Sequence, residues 1–232
     1  MKMILYRKEI KNKCRLDGKN LHVDDDIIFK CKCRENPSNI IITNSMIHEN
    51  DYAKLESGSK IIVEFDFDPI SFHQKRIIRA KLTGSFLKKN EKINLKSRLL
   101  EIEEYPSMIK SHDDYFKKVI LDELLKKHRT SSSNSMFISF TSDRSYCKNN
   151  YLGHIFSLRL IEGVINPIKN NHVSGNEKEY LIIGNLKSSD IHEIKFCGSD
   201  KGLYSQSKDE ILTIKNNEPF TLKWNYSSQR YL

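Results

Sequence analysis

The stretch GNEKEYLIIGNL, residues 175–186, decides how this chain is read. Glu177 and Glu179 are separated only by Lys178 and run straight into the apolar Tyr180, Leu181, Ile182 and Ile183. Side chains two apart in a strand point to one face, so a strand beginning near Asn176 carries both carboxylates together and turns Lys178 away. Like charges on one face repel, and burial adds a desolvation cost. A solvated strand end, softened by Lys178 and Lys169, is the plain reading of such a pair in a chain that is 30% charged. A functional reading needs support from the rest of the sequence.

A length of 232 residues suits one sizeable domain or two small ones. Thirty-nine Lys and Arg against 30 Asp and Glu give a net charge of +9. That balance favours polyanionic partners or substrates: nucleic acid, phosphate-bearing cofactors or acidic protein faces. The five cysteines (Cys14, Cys31, Cys33, Cys147 and Cys197) form no C-x-x-C, and Cys31-x-Cys33 is too tight for a zinc knuckle. Free thiols in a reducing cytoplasm are expected, and no metal. The opening MKMILYRKEIKNK has an apolar run of only Met3 to Leu5, which does not make a signal peptide. No segment approaches the roughly 18 apolar residues of a membrane-spanning helix, so no membrane partner is expected.

The pattern along the chain predicts an α+β fold. MILYR reads as a first strand. Further strand-like runs follow at IIFKCKC (27–33), NIIITN (39–44), SKIIVEFDF (59–67) and RIIRAKLTG (76–84), broken by Asn, Pro, Ser or Gly. GSKIIVEFDFDPISFHQKRIIRAKLTG is hairpin-like. SMIKSHDDYFKKVILDELLKKH (107–128) changes to a helical period with a charged face. After the polar RTSSSNS, strands are expected at MFISFT (136–141), within 151–168, at EYLIIGNL, at IHEIKF and in the tail.

Three features now stand in order behind the LYR of the first strand: SSNSMFISFTSDRSY, NEKEYLI and GNLKSSDIHEIKF. Together they resemble the cholera- and pertussis-toxin class of ADP-ribosyltransferases. That class carries an Arg on its first strand, a Ser-x-[Ser/Thr] element on a later strand and a Glu/Gln-x-Glu at the start of another. The matching positions are Arg7, Ser139-Phe140-Thr141 and Glu177-Lys178-Glu179, with His128 where a family histidine is often found. Phe140 departs from the usual Thr. The distance from Arg7 to His128 is longer than the toxins need. The resemblance therefore implies a catalytic domain made of 1–19 and 106–232, a mixed β core with a helix, interrupted by an inserted β-rich subdomain, 20–105. If the domain instead begins near residue 70, Arg79 in IIRAKL becomes the strand arginine.

The resemblance implies transfer of ADP-ribose from NAD to a macromolecular acceptor. Glu179 would stabilise the charge on the ribose and Glu177 would orient or deprotonate the nucleophile. Arg7 would bind a phosphate of NAD, Ser139 would hold Glu179 or the ribose, Thr141 would support the strand pair, and His128 would contact the adenosine ribose. Glu177 at the first acidic position favours a protein arginine, while the charge and the insert point to RNA or DNA. Lys75, Arg76, Arg79 and Lys81 in the insert are candidate acceptor contacts. A bacterial or phage toxin or effector, with an inhibitory protein partner, is the implied setting. The different class that stays open is a non-enzymatic basic nucleic-acid-binding protein.

Overall fold

The computed structural model describes residues 3–9, 14–17, 20–23, 27–33, 39–47, 54–69, 76–106, 108–130, 134–150, 154–158, 167–173, 177–187, 190–197, 210–215, 224–225 and 230–231. Its strands before the long helix are β1 (Leu5–Glu9), β2 (Cys14–Asp17), β3 (Asn20–Val23), β4 (Ile27–Phe29), β5 (Ile40–Ile42), β6 (Ile61–Asp66), β7 (Ile78–Thr83), β8 (Ser85–Lys88), β9 (Glu91–Asn94) and β10 (Arg98–Ile102). Helix α1 (His112–Thr130) follows, then β11 (Phe137–Thr141), α2 (Arg144–Asn150), β12 (His154–Leu158), β13 (Ile168–Lys169), β14 (Glu179–Ile183), β15 (Leu186–Lys187), β16 (Ile191–Cys197), β17 (Glu210–Lys215), β18 (Trp224–Asn225) and β19 (Arg230–Tyr231). The fold is mixed α+β, with antiparallel sheets and few helices. Among the described residues no helix is long and apolar enough to cross a membrane.

Two sheets organise the chain. A seven-stranded sheet runs β13-β14-β11-β1-β12-β16-β17, and a four-stranded sheet runs β10-β7-β6-β5. The smaller one follows directly from alternation. Ile61, Val63 and Phe65 of β6 and Ile78, Ala80 and Leu82 of β7 are buried, while Glu64 and Lys81 face each other across the outer surface. At its rim Gly84 has φ +138° and a Cβ there would meet Lys60 O at 2.7 Å, so only glycine fits. The β8–β9 hairpin turns at Lys89 and Asn90, both with positive φ, as a two-residue turn requires.

Helix α1 begins where Ser111 and Asp114 cap each other: Asp114 N–H donates to Ser111 Oγ at 3.2 Å and the Ser111 hydroxyl donates to the Asp114 carboxylate at 2.9 Å. Asp113 and Asp114 in its first turn and Lys127, His128 and Arg129 in its last suit the helix dipole. Its buried residues, among them Phe116, Ile120, Leu121 and Leu125, join one continuous core. That core contains the inner face of the four-stranded sheet together with Met136, Phe137, Ile168, Leu181 and Ile183 of the larger sheet's half of the chain. Phe86 meets Phe116 edge-on at 5.2 Å near the helix start, and Phe137 meets His128 at 5.9 Å near its end. Segment 20–105 thus supplies the four-stranded sheet as a distinct layer, but shares its apolar interior with α1 and the seven-stranded sheet.

The expected strand over 27–33 stops at Phe29 because its backbone donors go elsewhere. Cys31 N–H donates to Asn185 Oδ1 at 2.8 Å and Cys33 N–H to Ser135 O at 3.0 Å. β4 itself pairs with β15, a second tie between the early segment and the late one. Burial pushes the Cys31 thiol up to about 11, and Cys31, Cys33 and Cys147 are free cysteines.

Candidate active site

Three neighbouring strands of the seven-stranded sheet, β14, β11 and β1, carry the three sequence elements. β1 pairs with β12 over five register positions, but with β11 only at Tyr6↔Thr141. The two strands therefore diverge beside that contact. A cleft of about 260 Å³ opens there, lined by Tyr6, Arg7 and Lys8 of β1, Ser139, Phe140 and Thr141 of β11, Cys147 of α2, and both Glu177 and Glu179.

Glu179 is the first residue of β14, opposite Thr141, and its carbonyl accepts the Asn170 N–H at 3.0 Å. The residue is 8% exposed, so an ionised carboxylate there requires donors. They are present. Asn170 Nδ2 donates to Oε2 at 2.5 Å, and His128 Nε2 lies 3.8 Å from Oε1. Burial pushes the Glu179 carboxyl up, but the neighbouring His128 ring and hydrogen bonds from Ser139 and Asn170 outweigh it and hold the group below the usual glutamate range.

His128 hangs from the last turn of α1 between two serines. Its Nδ1 is 2.6 Å from Ser135 Oγ and its Nε2 is 2.9 Å from Ser139 Oγ. Ser135 Oγ already accepts the Phe137 N–H at 3.1 Å. One assignment then satisfies every group: the Ser135 hydroxyl donates to Nδ1, Nε2–H donates to Ser139, and the Ser139 hydroxyl donates to Glu179. His128 was expected to touch an adenosine ribose. Both its ring nitrogens are engaged by serines, Ser135 and Ser139.

Glu177 reaches the cleft by a route that strand alternation does not provide. β14 starts only at Glu179, and Lys178 has φ +45°. The two carboxylates come together across a left-handed residue rather than along one strand face, which corrects the strand expected from Asn176. The turn is tied to the end of β11. The Thr141 hydroxyl donates to the Glu177 carbonyl and accepts the Asp143 N–H at 3.0 Å. Ser142 N–H donates to the Lys178 carbonyl at 3.3 Å, and Lys178 Nζ is 3.6 Å from Asp143 Oδ2. Thr141 therefore anchors the acidic turn in addition to sitting in the β11–β14 pair.

Arg7 lines the cleft from β1. Its Nη1 donates to the Ser139 carbonyl at 2.8 Å, and its guanidinium lies 5.4 Å from the centre of the Phe29 ring, which packs edge-on against Phe140. Arg79 does not reach this cleft; it sits on β7 of the other sheet, 3.4 Å from Glu101. Two of the remaining candidate acceptor contacts are also matched by acids. Lys81 is 3.4 Å from Glu64, and Arg76 is 2.6 Å from Asp190 with both side chains 10% exposed. Lys75 lies outside the described residues. Opposite charges across β6, β7 and β10 thus leave no single-sign stripe at Arg79 and Lys81. No group of three or more His, Cys, Asp or Glu with metal-holding geometry occurs among the described residues.

Asn170, Ser135, Lys8 and Cys147 belong to this site and were not singled out by sequence reasoning. Ser135 was within reach, since it ends the Ser-rich run before β11. Asn170 had no local signal: it touches Glu179 only because the short β13 pairs with β14. Set beside known proteins, this arrangement has no counterpart to report: no family model, no curated protein and no solved structure matches the chain.

Proposed function

We propose that the chain is a mono-ADP-ribosyltransferase that moves ADP-ribose from NAD to a macromolecular acceptor, with protein arginine favoured. The observation that carries the reading is Glu179: a nearly buried carboxylate kept ionised by Asn170, Ser139 and the adjacent His128 ring, at the wall of a cleft that also holds Arg7 and Glu177. Bound NAD would supply a nicotinamide–ribose bond whose cleavage builds positive charge on the sugar, as in glycoside cleavage. The chemistry of the lining fits such a donor, with guanidinium and ammonium groups for phosphate and a fixed anion for the ribose. Glu179 stabilises the developing charge without reorganising, because its donors already hold it. Arg7 offers a planar fork suited to phosphate oxygens. Glu177, on its anchored turn, orients an incoming guanidinium and accepts its proton.

Nucleic acid is the rival acceptor and rests on the net charge of +9. The acid-matched state of Arg76, Arg79 and Lys81 favours protein. A toxin or effector setting in the cytoplasm, with an inhibitory protein partner, is part of the same proposal and rests on the motif resemblance. The test is incubation with labelled NAD. Glu179→Gln should lower both nicotinamide release and transfer by about 100- to 1000-fold, the usual loss for one centred electrostatic stabiliser. Near-normal turnover in a folded Glu179→Gln protein refutes the reading.

A further inference from the structure

We infer that Asn170 is a positioning residue for Glu179, and that helix α1 holds it in place through a latch on the turn that follows β13. The inference deepens the transferase reading and rests on it. Asn170 is 4% exposed. Its amide orientation is fixed by its neighbours. The His172 N–H can only donate, and it lies 3.0 Å from Asn170 Oδ1. Nδ2 must then be the end that faces the Glu179 carboxylate. Main chain and side chain act together, because the Asn170 N–H also binds the Glu179 carbonyl.

The turn itself is strapped to α1 at two points. His172 Nε2 lies 3.3 Å from Asp122 Oδ1, an oxygen that also accepts the Tyr105 hydroxyl at 2.6 Å. About two turns further along the helix, Arg129 Nη1 donates to the His172 carbonyl at 2.6 Å. The same helix carries His128. Glu179 is therefore flanked by groups referenced to one rigid element: Oε2 accepts from Asn170 through the latch, and Oε1 lies 3.8 Å from His128 Nε2. The Asn170 bond limits rotation of the carboxylate plane. Each oxygen has two lone pairs, so capacity remains to accept from a ribose hydroxyl.

The test uses two variants and a direct titration. Asn170→Ala removes the donor; Asn170→Asp keeps the shape and replaces the donor with an acceptor. Like charges this close do not both ionise, and the pair titrates as a coupled unit with one step raised. The groups facing Glu179 are His128 from α1, Ser139 from β11, Asn170 after β13, and the cleft's Tyr6, Arg7, Lys8 and Glu177; all remain in both variants apart from residue 170. The readout is the ¹³C resonance of the Glu179 side-chain carboxyl, assigned by its loss in Glu179→Gln. Its midpoint should rise in both variants, more in Asn170→Asp, and the acid limb of NAD cleavage should rise with it. The turnover number should fall about 10- to 100-fold in Asn170→Ala while the NAD requirement changes little. Arg129→Ala, on an exposed side chain, should move the midpoint the same way by less and keeps the test available if residue 170 proves intolerant. An unmoved Glu179 midpoint in folded variants overturns the inference. A shifted midpoint in a protein that never cleaves NAD supports the placement of the carboxylate and removes the transferase reading instead.

Discussion

Thr141→Val would test how Glu177 is held. The substitution keeps side-chain volume at a position that is 3% exposed, so packing is little disturbed. It deletes the hydroxyl that donates to the Glu177 carbonyl and accepts the Asp143 N–H. Two hydrogen bonds at about 1 kcal/mol each set an upper figure of about 2 kcal/mol. Glu177 and Asp143 are only half-buried, so water recovers part of it and about 1–2 kcal/mol is expected. Two further ties are weak: a 3.3 Å backbone contact and an exposed ion pair at 3.6 Å, of a kind worth about 1 kcal/mol or less. Against them stands Lys178 in the left-handed region, a strain of about 1–2 kcal/mol for a non-glycine residue. Losing the anchor should therefore free the Glu177 turn, with transfer to the acceptor falling about tenfold. Glu179 keeps its own ladder and Asn170 contacts, so NAD hydrolysis to water should fall far less. Chemical denaturation measures the stability loss, and parallel counts of nicotinamide released and label transferred measure the split. Equal loss of both activities, or an unchanged denaturation midpoint, would refute the anchoring argument.

Other outcomes follow from the same geometry. Arg7→Ala should raise the NAD requirement more than it alters acceptor affinity, and Arg79→Ala should do neither; steady-state kinetics that reverse the two would move the donor site to the four-stranded sheet. Gly84→Ala should destabilise the protein by at least about 1 kcal/mol, since φ is +138° and the new Cβ would sit 2.7 Å from Lys60 O; thermal melts read it. Because folding lowers the pKa of Glu179, its ionised form stabilises the protein above the unfolded value of about 4.3, and that contribution disappears as pH falls through the lower native value. Glu179→Gln should accordingly flatten the loss of stability below about pH 4.3 in acid titrations, and an unchanged acid limb would mean the donor network does not bind the charged form.

Strong periodicity made most of the core legible. Helix α1 showed itself through its apolar period, and β6 and β7 through strict alternation. α2 did not, because Arg144–Asn150 has no apolar period and is started by Asp143, whose carboxylate accepts the Tyr146 N–H. The β8–β9 hairpin and β10 were missed because SFLK, EKIN and RLLEI are short runs of mixed polar and apolar residues and the Lys89–Asn90 turn lacks glycine. In the site, Glu179, Ser139 and Arg7 could be named from short motifs. How Glu177 arrives could not, since nothing in NEKEY announces a left-handed Lys178. The contacts of Asn170 and His128 depend on which strands become neighbours, and that is a property of the whole sheet.

The central place of β1 has a consequence for how the protein is made. Leu5–Glu9 is synthesised well before its neighbours, yet it lies between β11 and β12, and the Arg7–Ser139 bond spans 132 residues of sequence. At about 5–20 residues per second of synthesis, the strand waits on the order of ten seconds for its first partner. No nascent fragment ending before Glu179 can contain the cleft, because its lining comes from segments made far apart in translation. The assembled site exists only once synthesis has passed Glu179, the last of its named parts to be made.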